Sequence, residues 1–281
     1  MGPEQTARYL RRHGLAPRRG RSQNHLVDAQ VLDDIVALAD PAPGRHILEI
    51  GPGLGVLTQA LLERGASVTA VEVDDRLAAH LRARFASVLD DGSLRLLEAN
   101  ALDVPTADLV EPPFDLVANL PYHITSPVMH RVLGSEPRPD RFVVMVQREV
   151  AERIAAPPGQ LSYLSVFVQY HAAVRVARIV PASAFEPAPA VESAVLVGEV
   201  RPRRLSAEAE EQFWRLVQAG FRERRKMLHN VLPRQLPRVG RERFEAALAA
   251  VGIVPDRRPQ TVTVEEWLAL AAAVGPLGPP G

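Results

Sequence analysis

Asn119-Leu120-Pro121-Tyr122 is the stretch of this sequence whose residue types can do the most specific chemistry. The Asn side-chain carbonyl and a backbone carbonyl beside the proline can both accept hydrogen bonds from one planar amino group. The Tyr ring can stack on the heterocycle bearing that group. Proline fixes φ and has no N–H, which stiffens the turn. Upstream, Glu49-Ile50-Gly51-Pro52-Gly53-Leu54-Gly55 is a glycine-rich turn, and Gly51 and Gly53 let a cofactor approach the backbone. Its Gly-x-Gly-x-Gly spacing differs from the Gly-x-Gly-x-x-Gly of dinucleotide binding. Glu72 closes the next apolar run, where an acid can accept both ribose hydroxyls of an adenosine. NAD and S-adenosylmethionine both carry such hydroxyls, so the turn and Glu72 do not choose between them. The Asn-Leu-Pro-Tyr step tips the choice to S-adenosylmethionine, and to methyl transfer onto an amide or nucleobase nitrogen. Asn100 ends a further apolar run and can reach the cofactor's adenine amino group. Glu49 can either orient the methionine amino end or cap backbone N–H groups.

Holding these residues together requires a doubly wound parallel sheet. Short apolar strands at His46–Ile50, Ser67–Val73, Leu94–Leu97, Phe114–Ala118 and Phe142–Val146 alternate with helices. The helices fall at Gln30–Ala39, Leu54–Arg64, Arg76 to about Leu89, Pro127–Leu133 and Arg148–Ile154. Each chemical residue then lies at or just past a strand's carboxyl end. After Pro157-Pro158-Gly159, the runs Tyr163–Tyr170, Val174–Val180 and Ala194–Val200 read as strands finishing the sheet. Beyond Arg201-Pro202-Arg203-Arg204 the pattern is helical, over Ala207–Phe221, Arg225–Leu232, Glu242–Ala250 and Glu265–Ala273. The expected organisation is a basic arm over 1–25, a Rossmann-like domain over 26–202, a small all-α domain over 203–275 and a disordered tail over 276–281.

The net charge of zero conceals a segregation. Residues 1–25 balance at +5, residues 26–135 at −9 and the remainder at +4. The basic arm, with Arg18, Arg19 and Arg21, suits a phosphate backbone, although solvated disorder at a terminus would have the same composition. The absence of cysteine excludes disulfides and thiolate metal sites, and no metal is expected. No apolar run reaches the ~18 residues of a membrane span, so a cytoplasmic protein without a membrane partner is expected, acting as a monomer.

The chain resembles the small-subunit ribosomal RNA adenine dimethyltransferases, from about Arg18 to Leu270. The resemblance is carried by Gln23-Asn24 with Leu26, the Glu49–Gly55 turn, Asn119–Tyr122 with Ile124, and Gln147-Arg148-Glu149-Val150-Ala151-Glu152-Arg153. Phe185-x-Pro187-x-Pro189-x-Val191 and Phe221-x-x-Arg224-Arg225-Lys226 match as well, in the same order. It implies a Rossmann-like class I methyltransferase domain with a small C-terminal all-α domain that binds RNA. Asn24, Leu26, Gly51, Glu72, Asn100 and Asn119 would contact S-adenosylmethionine, and Arg148, Arg222, Arg224, Arg225 and Lys226 would contact RNA. Three positions depart from the pattern: Ser22 stands for Gly, His25 for Phe and Asn100 for Asp. Loss of that charge at Asn100 is expected to weaken cofactor binding by ~1 kcal/mol. His25 either loosens the N-terminal lid or stacks on a base.

The reaction implied is N6,N6-dimethylation of two adjacent adenosines near the 3′ end of 16S rRNA in the immature small subunit. The adenine amino nitrogen is a poor nucleophile because its lone pair is delocalised. Hydrogen bonds to the Asn119 side chain and to the Leu120 or Pro121 carbonyl would make it more tetrahedral. Tyr122 and Phe185 would stack on the unstacked base. Three other readings compete. One is the large-subunit 23S rRNA methyltransferase of the macrolide-resistance type. Another is a methyltransferase acting on DNA adenine or protein glutamine, and the third is a non-catalytic ribosome assembly factor.

Overall fold

β-Branched runs punctuated by glycine and proline do form the expected sheet in the computed structural model, which describes residues 2–15 and 24–278. The chain begins with α1 (Pro3–Arg12), β1 (His25–Leu26) and α2 (Ala29–Ala39). It continues through β2 (His46–Ile50), α3 (Val56–Glu63), β3 (Ser67–Glu72), α4 (Asp75–Arg84), α5 (Ala86–Asp90) and β4 (Leu94–Glu98). Next come α6 (Thr106–Leu109), β5 (Asp115–Asn119), α7 (Thr125–Gly134), β6 (Arg141–Gln147), α8 (Arg148–Ile154) and α9 (Tyr163–His171). The sheet finishes with β7 (Ala172–Val180) and β9 (Ser193–Val200), with the short β8 (Phe185–Glu186) between them. Four helices follow: α10 (Ala207–Phe221), α11 (Leu228–Gln235), α12 (Arg241–Ala250) and α13 (Val264–Val274).

The seven-stranded sheet runs β4-β3-β2-β5-β6-β9-β7. β4 to β6 pair in parallel, and β9 is antiparallel to both its neighbours. The strand order reverses between β2 and β5, so the crevice at their carboxyl ends is the topological switch point where open α/β sheets bind ligands. β2 and β3 are buried along nearly their whole length, which fits apolar residues on both faces, Ile47, Leu48 and Ile50 in one and Val68, Ala70 and Val71 in the other. β1 pairs with β8, setting Leu26 opposite Phe185, and both join the core formed by Ile47, Val68, Val117 and Val143.

The molecule divides into two compact units, Met1–Glu152 with Ala172–Val200, and Arg153–His171 with Arg201–Gly281. The continuous span 26–202 expected for the first domain is therefore corrected, because residues 153–171 belong to the second unit. Tyr163–Tyr170 is helix α9, not a strand. A short apolar run does not distinguish a buried helix from a buried strand. Here the run is buried on nearly all sides, and the Ser162 Oγ accepts from the Ser165 N–H at 3.1 Å in the manner of an N-cap. The expected helix over Arg225–Leu232 starts later, at Leu228, and the charged residues before it lie in a turn closed by Lys226 N–H to the Glu223 carbonyl.

The basic arm also differs. Helix α1 turns Thr6 and Leu10 inward, and Leu10 and Leu15 pack with Leu54 and Leu77. The tail is not all loose: Leu277 is buried, and its N–H donates to Gln212 Oε1 at 3.0 Å. In the second unit, Trp267 is fully buried among Phe213, Val217, Leu232 and Phe244. Among the described residues, no helix is long and apolar enough to cross a membrane.

Candidate active site

Strand β2 delivers the glycine turn to the switch point. Gly51, Gly53 and Gly55 all have positive φ, at 72°, 60° and 73°, a region open to glycine at no steric cost. Space matters as well. A Cβ on Gly51 would sit 3.3 Å from Pro121 Cδ, and one on Gly53 would sit 3.3 Å from His25 Nδ1. The turn is thus a cradle pressed between the Asn-Leu-Pro-Tyr segment and the segment that begins at Asn24.

Two carboxyls line this cradle. Glu72, at the end of β3, accepts the Gly53 N–H at 3.2 Å and the Asp74 N–H at 2.8 Å. Burial raises its pKa, opposed by those donors. Each oxygen retains lone-pair capacity for a ligand hydroxyl. Glu49 is buried beside it and accepts from Thr58 Oγ1 at 2.6 Å. Burial pushes Glu49 up to about 8, with the Glu72 charge adding to the shift. His25 is 8% exposed, and burial pushes its pKa down to about 4. A neutral imidazole therefore packs on the glycine turn in the place of an apolar ring.

Strand β5 delivers Asn119. Its Nδ2 donates to the Asn24 carbonyl at 3.4 Å, which leaves Oδ1 with lone-pair capacity to accept a hydrogen bond. The Leu120 N–H is held by the Met145 carbonyl, and the Pro121 carbonyl accepts from the Ile124 N–H at 3.1 Å. Of the two backbone carbonyls weighed as a second acceptor, the Leu120 carbonyl is thus favoured. The Tyr122 hydroxyl hydrogen-bonds to Ser193 Oγ at 2.7 Å.

One cavity of about 310 Å³ brings the candidates together. Asn24, Leu26, Glu49, Gly51, Gly53, Glu72, Asn100, Asn119, Leu120, Pro121, Tyr122 and Phe185 all line it. Two of them sit differently from the expectation. Phe185 is only 2% exposed and embedded in the core, so it forms a wall, not an open stacking face. The exposed Asn100 is engaged by its own loop, with Nδ2 donating to Asp103 Oδ2 at 2.9 Å and Oδ1 accepting from the Leu102 N–H at 3.1 Å. Sequence reasoning passed over Asp103 and Ser193; both act through side-chain contacts that no spacing pattern reports. It also passed over the apolar walls Leu54, Val73 and Leu77.

The basic candidates are scattered. Arg148 is paired with Glu152 at 2.7 Å and Glu192 at 2.8 Å. In the other unit, Arg222, Arg224, Arg225 and Lys226 are exposed around the turn before α11, and Arg222 bonds Gln235 Oε1 at 3.1 Å. Arg18, Arg19, Arg21 and Ser22 lie outside the described residues. Among the described residues, no group of His, Asp and Glu could hold a metal ion.

The family model described as ribosomal RNA adenine dimethylase matches residues 16–273. The chain is 43% identical over 279 residues to the ribosomal RNA small subunit methyltransferase A of Anaeromyxobacter sp. (strain K), covering 95% of this chain and 96% of that one. The protein of the same name from Moorella thermoacetica is 39% identical over 284 residues, covering 96% of each chain. The crystal structure of the 23S rRNA methyltransferase ErmE superposes with a TM-score of 0.71 at 29% identity, covering 89% of this chain and 99% of that one.

Proposed function

The chain belongs to the ribosomal RNA adenine dimethylase family, and from that premise we propose that it dimethylates N6 of two adjacent adenosines in a loop near the 3′ end of 16S rRNA. The substrate would be the immature small subunit, and the methyl donor S-adenosylmethionine. The observation that carries this reading is the state of Asn119. Its amide N–H is occupied by the Asn24 carbonyl, and its carbonyl oxygen is left for an amino group inside the cavity that Glu72 and the glycine turn share.

The residues fit the donor. A Cβ at Gly51 or Gly53 would crowd Pro121 or His25, so these glycines preserve room for a ligand. Glu72 would accept the ribose hydroxyls. Asn100 would face the adenine, and Val73, apolar and 55% exposed beside Glu72, offers that ring a surface. Asn24 and Leu26 would close over the methionine end, above Glu49. When bound, S-adenosylmethionine supplies an electrophilic methyl group on a sulfonium.

Asn119 Oδ1 and the Leu120 carbonyl would each accept one N–H of the target amine. Such acceptors pull the nitrogen toward tetrahedral geometry and aim its lone pair along the cleft. Tyr122 would stack on the unstacked base, with Phe185 walling the pocket behind it. No strong general base is required, because the amine proton becomes acidic only after the methyl arrives. The exposed Arg224, Arg225 and Lys226 would meet RNA phosphates. The candidate cofactor and target-base residues share one cavity within the first unit, which is consistent with action as a monomer, and an rRNA substrate is consistent with action in the cytoplasm.

The likeness to ErmE keeps a second reading in play, methylation of large-subunit rRNA. Incubating the chain and labelled donor separately with small-subunit particles and with 23S rRNA distinguishes the two by which RNA carries label.

A further inference from the structure

We propose that Ser193 is a positioning residue for the target base, acting through the hydroxyl of Tyr122. The inference rests on the adenine-stacking role given to Tyr122 above. Tyr122 opens the single-turn 3-10 segment Tyr122–Ile124 directly after Pro121, and it is half-buried at the edge of the cavity. Its ring is tethered to a short turn at Cβ, and its far end is tethered to Ser193 Oγ at 2.7 Å. Ser193 is the first residue of β9, paired with Gln147 of β6 on one side and Val180 of β7 on the other, and it is 0% exposed. The hydroxyl therefore fixes the tilt of the Tyr122 ring from backbone locked by two ladders.

A ring free to swing would still bind a base, but would hold it less often with its amine between Asn119 Oδ1 and the methyl donor. Positioning of this kind shows in the rate of the chemical step more than in cofactor binding. A buried serine also needs a partner for its own stability. A bond serving that need alone would lower the unfolding temperature without changing turnover per cofactor-binding site.

The test is methyl transfer to small-subunit particles by the full chain, by Ser193→Ala, by Tyr122→Phe and by the double variant, each normalised to sites that bind S-adenosylmethionine. The proposal predicts about fivefold lower kcat for either single variant. It also predicts an unchanged cofactor Kd and a double variant no slower than the slower single one, since both remove the same bond. Full turnover by Ser193→Ala with only a lower Tm, or losses that multiply in the double variant, would overturn it. A wild-type chain that methylates no RNA would overturn the adenine reading and this proposal together.

Discussion

Glu49 sits in the cleft with burial outweighing the hydroxyl that Thr58 donates to it, and its pKa of about 8 leaves it protonated at neutral pH. The folded value lies above the ordinary 4.5. The folded chain therefore holds a proton that the unfolded chain releases between those limits. Stability from this group is full below 4.5 and is lost as pH rises toward about 8. Thermal unfolding across that window should show the wild type losing Tm relative to Glu49→Gln as pH rises; parallel curves would contradict it. If Glu49 faces the donor's ammonium group, binding at pH 7 should also release a proton, visible in calorimetry as a dependence on the buffer's ionisation enthalpy. Asn100 makes a second test. Asn100→Asp alone would set a new carboxylate against Asp103, its present partner at 2.9 Å. The pair Asn100→Asp with Asp103→Asn removes that repulsion and should tighten donor binding by roughly fivefold, about the worth of one hydrogen bond; unchanged affinity in calorimetry would refute it. Asn119, Glu72 and Gly51 were legible in the sequence because their residue types already state a chemistry. Ser193 was not, because its role exists only through a contact with a residue 71 positions away.

Elements set how firmly these groups are held. Leu10 of helix α1, with Leu15 just beyond it, packs against Leu54 and Leu77, and both of those line the cavity. The Arg76 guanidinium also donates to the Gly14 carbonyl at 3.1 Å. Leu10→Ala should loosen α1 locally, raising the donor Kd several-fold while the main unfolding transition barely moves; an unchanged Kd would show that α1 does not brace the site. In the second unit, Gly220 on α10 faces Trp267 so closely that a Cβ would sit 2.6 Å from Cη2. Gly220→Ala should destabilise that unit by about 1–3 kcal/mol through overpacking, measured by urea unfolding, and no loss would mean Trp267 moves freely. Strands β2 to β6 could be read from the sequence because each is a short apolar run bounded by glycine, proline or a polar helix start. Helix α9 could not, since Leu164, Val166, Phe167 and Val168 are all buried and leave no polar face to set a period. The docking of α1 was hidden for the opposite reason: its arginines dominate the composition, and its buried face is little more than Thr6 and Leu10.

At the scale of the whole molecule, zero net charge argues against steering by a global field, and RNA affinity must come from local clusters. Replacing Arg224, Arg225 and Lys226 with alanine should weaken RNA binding and flatten its salt dependence. The log–log slope should fall by about 0.7 for each phosphate that is no longer neutralised; an unchanged slope would remove that turn from the interface. Labelled S-adenosylmethionine should be incubated with immature small subunits, with mature large-subunit RNA and with DNA, using the wild type and Asn119→Ala, and the products mapped by mass spectrometry. Dimethyladenosine should appear in a loop near the 3′ end of 16S rRNA, with transfer reduced by ~10²-fold or more in Asn119→Ala. Label confined to large-subunit RNA or DNA, or near-full turnover by Asn119→Ala, would contradict it.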